Sequence, residues 1–223
     1  SPLREAGFPV AMFSLPLGKK LKDLCLVSIT RQGLIKKSLV TELKGPSSDT
    51  FVMVKVNDDD ELVEVGLYND QSQYLVVTRM GMIIRFDGSE VRVMGLVAAG
   101  VNAIKLASTD EVVGMTELSG KGEVVLISSS GTSWRIEVDN IPVQGRYGQG
   151  VIGCRLEKGV ELVGVVFGKK NYQYALRLKK AAAKACRIDD IGISRRAGRG
   201  EQLVQIATGD RVIRIIKTSD FGE

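Results

Sequence analysis

The chain has 223 residues, 44% of them hydrophobic, with a mean hydropathy of +0.06 and a net charge of +5, which suits one large β domain or two small ones and excludes disorder. It contains no histidine, so Ser-His-Asp and Cys-His catalysis, histidine-liganded metal sites and the usual neutral-pH general base are excluded together. Three widely spaced cysteines, Cys25, Cys154 and Cys186, argue against a disulfide framework, fit a reducing cytoplasm and read as buried small hydrophobes.

Residues 1–18 hold Arg4, Glu5 and three prolines and lack the apolar core of a signal peptide. With no initiator Met, an excised segment of a longer protein is expected. No run of about eighteen apolar residues follows, so no membrane span is expected. Phe13-Ser14-Leu15 and Lys20-Leu21-Lys22-Asp23-Leu24 resemble the second element of the later repeats. Residues 1–24 therefore read as a partial unit, either a strand that closes a ring or the stump of a blade. Four full units are expected over residues 25–66, 67–116, 117–167 and 168–216, with a polar tail at 217–223, all in one domain.

The units are defined by a step of 50 residues. Asp60-Glu61-Leu62-Val63-Glu64-Val65 recurs as Asp110-Glu111-Val112-Val113-Gly114-Met115, as Val160-Glu161-Leu162-Val163-Gly164-Val165 and as Asp210-Arg211-Val212-Ile213-Arg214-Ile215. An earlier element, Thr30-Arg31-Gln32-Gly33-Leu34-Ile35-Lys36-Lys37, matches Thr78-Arg79-Met80-Gly81-Met82-Ile83-Ile84-Arg85 and Ser128-Ser129-Ser130-Gly131-Thr132-Ser133-Trp134-Arg135. It matches Ala182-Ala183-Lys184-Ala185-Cys186-Arg187 more loosely. Short β-branched runs such as Val124-Val125-Leu126-Ile127 read as strands, and Arg79-Met80-Gly81 and Ser129-Ser130-Gly131 as hairpin turns. A unit of about 50 residues with roughly four strands is the size of a propeller blade. The one helical candidate spans residues 179–185.

Charge is uneven along the chain. Residues 168–223 carry 13 Lys and Arg against 6 Asp and Glu, a net of +7, and the remaining residues carry 18 against 20, a net of −2. A basic end on a near-neutral body points to a polyanionic partner. Lys36, Arg85, Arg135 and Arg187 align at steps of 49, 50 and 52, and Lys55, Lys105 and Arg155 at steps of 50. On a radial array such positions would form a ring of cations that holds DNA through its phosphates without reading sequence. The alternative is that they keep blade edges from pairing with other chains. Glycine-bearing loops, Gly95-Leu96-Val97-Ala98-Ala99-Gly100, Gly145-Arg146-Tyr147-Gly148-Gln149-Gly150 and Arg195-Arg196-Ala197-Gly198-Arg199-Gly200, are a second place for backbone or arginine to approach a ligand. The DNA-binding candidates are Lys36, Lys37, Arg79, Arg85, Arg92, Lys105, Arg135, Arg146, Arg155, Lys179, Lys180, Lys184, Arg187, Arg195, Arg196 and Arg199. Asn57-Asp58-Asp59-Asp60-Glu61 reads as a turn rather than a calcium loop, because Asp110 and Asp210 recur without the neighbouring acids. Trp134 reads as core, and no catalytic, metal or cofactor site is expected.

Thr78-Arg79-Met80-Gly81-Met82-Ile83-Ile84-Arg85-Phe86-Asp87-Gly88 and Gly100-Val101-Asn102-Ala103-Ile104-Lys105-Leu106 resemble a repeat of the C-terminal domain of the DNA gyrase A protein. Gly33-Leu34-Ile35-Lys36-Lys37-Ser38 is similar to the preceding repeat and Gly148-Gln149-Gly150-Val151-Ile152 to a later one. The resemblance implies a β-pinwheel, a disc of blades that exchange a strand with their neighbours and wrap duplex DNA around a basic outer rim. It implies as partners duplex DNA, the catalytic core of a type IIA topoisomerase A protein and, through that core, the ATP-hydrolysing component. It also implies a monomeric, non-catalytic domain in the cytoplasm at the nucleoid. The gyrase box, close to Gln-Arg-Arg-Gly-Gly-Lys-Gly in the first blade of that family, is approached here only by Ser194-Arg195-Arg196-Ala197-Gly198-Arg199-Gly200 in the last repeat. Four full repeats stand where gyrase usually has six, so gyrase, topoisomerase IV and a free-standing relative all stay open. A propeller for protein interaction is the first rival; a propeller enzyme would need converging carboxylates, and the repeated acids sit at turns.

Overall fold

A computed structural model describes residues 10, 11, 15, 24–43, 51–69 and 71–217; the expected partial unit and tail fall almost wholly outside them. The chain runs through β1 (Leu24–Thr30), β2 (Leu34–Leu39), β3 (Leu62–Asn69), β4 (Gln73–Thr78), β5 (Met82–Asp87), β6 (Val101–Asn102), β7 (Val112–Leu118), β8 (Glu123–Ser128), β9 (Thr132–Glu137), β10 (Val151–Ile152), β11 (Leu162–Gly168), β12 (Gln173–Leu178), β13 (Lys184–Arg187), β14 (Glu201–Gln202) and β15 (Val212–Lys217). Each blade begins as a hairpin. In the first three, the turn closes with Gly33, Gly81 or Gly131 at φ of 82°, 85° and 81°, a left-handed position that costs glycine little. An aspartate pins the turn from the facing loop. Asp60 Oδ1 accepts the Gln32 N–H at 2.9 Å, Asp110 Oδ1 the Met80 N–H at 3.0 Å and Asp210 Oδ1 the Lys180 N–H at 2.9 Å. These are turn aspartates, as their spacing implies, and among the described residues no cluster of metal-ligating side chains occurs.

The sheets are ordered β3-β1-β2-β6, β7-β4-β5-β10, β11-β8-β9-β14 and β15-β12-β13. The outermost strand of each of the first three blades comes from the next repeat: Val101 pairs with Ile35, Val151 with Ile83 and Glu201 with Ser133. Leaving its own hairpin, the chain thus reaches back to close the preceding blade before supplying its own inner strand. This exchange is the pinwheel arrangement. Among the described residues the fourth sheet has three strands rather than the four expected of every blade.

Hydrophobic cores lie between blades rather than within them. Val27 and Ile29 of the first blade meet Tyr74 and Val76 of the second; Leu75 and Val77 meet Val124 and Leu126; Val125 and Ile127 meet Tyr174 and Leu176. Strand alternation puts odd and even positions on opposite faces, so the central strands β4 and β8 each feed two cores, and burying each such aliphatic side chain contributes about 1.5–3 kcal/mol. Residues 179–185 form no helix. They make the fourth hairpin, where Lys184 pairs with Leu176 and Ala185 with Ala175, while Asp210 takes the Lys180 and Ala181 N–H groups. Ladder and cap override alanine's helix propensity.

Cys25, Cys154 and Cys186 are buried and form no disulfide with one another. Burial pushes Cys154 up to about 12 and, with help from Asp190, Cys186 up to about 11, so both stay protonated and inert near neutrality.

Candidate nucleic-acid interface

The cations aligned by sequence divide into two sets. The first set is internal. Counting from the turn glycines, Lys37, Arg85 and Arg135 occupy one structural position, each bridged to the following loop at Val93, Val143 and Ile193. Lys37 Nζ donates to the Gly88 carbonyl at 2.9 Å. Arg85 Nη1 donates to the Val138 and Ile141 carbonyls at 2.7 and 2.9 Å, and Nε to Gln73. Arg135 Nη1 donates to the Ile191 carbonyl at 2.9 Å, and its Nε pairs with Glu123 at 2.7 Å. Every acceptor carbonyl lies on or beside the next blade's one-turn 3-10 helix, Gly88–Glu90, Val138–Asn140 or Ile188–Asp190. These side chains therefore clamp neighbouring blades, and the expectation that Lys36, Arg85, Arg135 and Arg187 form one solvent-facing ring is corrected, as is the reading of Lys37 as a phosphate contact: Lys37, Arg85 and Arg135 donate to main-chain carbonyls of the next blade, and Lys36 is buried. Arg187, aligned with this row by sequence, lies two residues beyond it: Ala185 opposite Ala175 holds the place of Arg85 opposite Leu75 and Arg135 opposite Val125, and Arg187 stands opposite Gln173 as Asp87 stands opposite Gln73. No further blade follows it among the described residues, and it lies exposed against its own Asp190 at 3.3 Å.

Lys36 is offset by one residue from this row and so faces the opposite side of β2. It is 2% exposed and donates to the Met53 carbonyl, at the position held by Ile84 and Trp134 in the next two blades. Trp134 is core, as expected, and donates Nε1–H to the Gly198 carbonyl at 3.0 Å. Burial holds the Lys36 ammonium below its usual range, partly offset by Glu42. Replacing Lys36 with Met is expected to raise stability by about 1 kcal/mol at pH 7. The depressed folded value means that the charged form is penalised in the fold at neutral pH. The advantage should therefore shrink as pH rises through the folded-state value and vanish above the ordinary lysine value of 10.5. Urea unfolding at pH 7 and pH 10.5 checks it.

Arg146 and Arg196 form a further internal pair. Arg146 Nε donates to the Glu90 carbonyl at 3.1 Å and Nη1 to the Asn102 carbonyl, and Arg196 Nη1 donates to the Ile152 carbonyl at 2.8 Å; they brace the exchanged strands β6 and β10. The neighbouring glycines approach protein rather than ligand. A Cβ on Gly100 or Gly150 would lie 2.6 Å from the carbonyl oxygen of Ile35 or Ile83. Val97, Tyr147 and Ala197 take positive φ of 78°, 67° and 58°, a repeated strain at residue types that carry no signature of it. Their N–H groups reach the Met53, Ala103 and Gly153 carbonyls in return. Arg79, on the hairpin turn, sits between Glu111 and Glu161 at 3.6 and 3.7 Å, linking the second blade to the third.

The second set is exposed. Lys105 and Arg155 follow three residues after the outermost strands β6 and β10, and Lys55 holds the equivalent place in the first repeat. The Lys105 N–H is tied to the Gly148 carbonyl at 2.9 Å, beside the exposed Tyr147. Arg92, Lys179, Lys180, Lys184, Arg195 and Arg199 are exposed as well, and none has an ion-pair partner among the described residues. An exposed cation three residues beyond the outer strand at two successive junctions, with Lys55 at the matching place in the first repeat and Gln205 in the fourth, can meet phosphate oxygens at no desolvation cost comparable to that of the clamps.

A family model described as the DNA gyrase C-terminal domain, beta-propeller, matches residues 26–69, 73–118, 122–167 and 183–219. The DNA gyrase A protein of Haemophilus influenzae is 33% identical over 108 residues, covering 48% of this chain and 12% of the relative. That of Deinococcus deserti is 37% identical over 82 residues, covering 37% and 10%. The chain thus spans about a tenth of these relatives' length. Among solved structures, the C-terminal domain of DNA topoisomerase IV superposes with a TM-score of 0.83 at 23% identity, over 93% of this chain and 67% of the other. The DNA gyrase A C-terminal domain gives 0.79 at 19% identity, over 88% and 66%.

Proposed function

The chain belongs to the DNA gyrase C-terminal domain family, and from that premise we propose that it binds duplex DNA non-specifically and bends it along the edge that carries Lys55, Lys105 and Arg155. The observation that supports this reading most is their register: one exposed cation in each of the first three repeats, at a constant step of 50 residues. Arg92, Lys179, Lys180, Lys184, Arg187, Arg195 and Arg199 extend the basic surface toward the fourth blade. Arg79, Arg146 and Arg196, half-buried and spent on protein partners, contribute chiefly to the scaffold.

Smooth bending of a 20–30 base-pair site costs on the order of 1–6 kcal/mol, which several phosphate contacts offset. The domain performs no chemistry in this reading. It serves the catalytic core of a type IIA topoisomerase A protein and, through that core, the ATP-hydrolysing component, as a monomeric module at the cytoplasmic nucleoid. Ligating nicked plasmid in the presence of the protein tests the bend. The linking-number distribution should shift progressively with the protein-to-plasmid ratio. An unshifted distribution under conditions of saturated binding would remove the bend, and failure to retard DNA in a gel would remove the binding.

A further inference from the structure

The inner strands of the four blades enclose a channel of about 620 Å³, within the size range of small-molecule sites. Where the central strand of each blade faces its inner strand, one cross-strand pair recurs. It is Ile29 opposite Glu64, Val77 opposite Gly114 and Ile127 opposite Gly164 in the first three blades. In the fourth it is Arg177 opposite Arg214. Both arginines are exposed and both line the channel.

Two like charges directly opposite on adjacent strands destabilise a sheet, and nothing nearby among the described residues relieves them. Arg177 has no hydrogen-bond or ion-pair partner among those residues, and Arg214 donates only to the Val10 carbonyl, at 2.5 Å. The one carboxylate on the described channel wall, Glu64, is already engaged. It pairs with Lys217 and accepts the Met115 N–H at 2.9 Å. The channel therefore presents two facing guanidinium forks with unspent donors and, among the described residues, no counter-ion of their own.

We propose that this is an anion site for a phosphate-bearing small molecule. Planar forks match phosphate oxygens bidentately, and a doubly charged phosphate would neutralise both arginines at once. The site is separate from the rim cations and stands whether or not the rim holds DNA.

Thermal unfolding in 0.15 M NaCl with tripolyphosphate as the probe tests it, with inorganic phosphate as the weaker reference. The melting temperature should rise saturably with tripolyphosphate. Arg177→Ile, which restores the residue of the third blade, should melt higher than the parent without ligand and need at least tenfold more tripolyphosphate for the same shift. Arg177→Gln, in case the apolar variant repacks, should weaken the response equally. Affinity for a duplex should stay within twofold of the parent in both variants. No saturable shift in the parent, or a shift retained in both variants, would overturn the site. A parallel loss of duplex affinity would instead assign these arginines to the DNA surface and equally end the proposal.

Discussion

Truncating Arg135 to alanine is expected to lower stability by about 3 kcal/mol, which for a domain of this size is a fall of about 9 °C in melting temperature. The side chain is 12% exposed and its partner Glu123 18%. Removing the guanidinium leaves Glu123 half-desolvated without its counter-ion and leaves the Ile191 carbonyl of the next blade without its donor. Such losses exceed the net worth of the contact itself, because the stranded groups bear their desolvation alone. Arg187→Ala is the internal control. Its side chain is 56% exposed and reaches no neighbouring blade among the described residues, so it should cost less than about 0.5 kcal/mol. The double variant Arg135→Ala/Glu123→Ala should lose less than Arg135→Ala alone, since no carboxylate is then stranded. Urea denaturation of the three variants reads the set directly, and equal losses at positions 135 and 187 would contradict the clamp.

The second large effect concerns binding. Replacing Lys55, Lys105 and Arg155 together by glutamate should reduce duplex affinity by at least about 100-fold at 0.15 M salt. Each neutralised phosphate contributes about 0.9 to the slope of log affinity against log salt, so three contacts amount to about 2.2 log units at that concentration before any repulsion is added. Stability should barely move, because all three side chains are exposed and carry no ion pair among the described residues. Clamp variants should behave in the opposite way, with lower stability and nearly unchanged affinity in whatever fraction stays folded. The contrast separates cations that build the disc from those that meet a ligand.

The architecture was legible because the 50-residue step is carried by local chemistry. Turn glycines, pinning aspartates and alternating aliphatic runs each specify their own geometry. The roles of the cations were less legible. A lysine aligned by charge rather than by the turn glycine slips one position, and in a strand one position is the other face, so Lys36 was placed with Arg85 where Lys37 belongs. Burial of that row was hidden for a second reason. Its acceptors are main-chain carbonyls such as those of Val138 and Ile191, which carry no signature in sequence and come near only when the next blade packs. The Arg177–Arg214 pair could have been found by aligning the fourth unit on Ile127 and Gly164. The loose match of its hairpin, with three alanines at Ala181-Ala182-Ala183, suggested a helix there and hid the register.

The most direct test of DNA binding at the rim is the affinity for a duplex of about 40 base pairs measured from 0.05 to 0.3 M salt, for the parent protein and the triple rim variant. The parent should show a steep linear fall of log affinity with log salt, and the variant a slope shallower by about 2.7, the contribution of three phosphates. A flat parent response, or parent and variant lines of equal slope, would contradict the claim that these exposed side chains hold DNA.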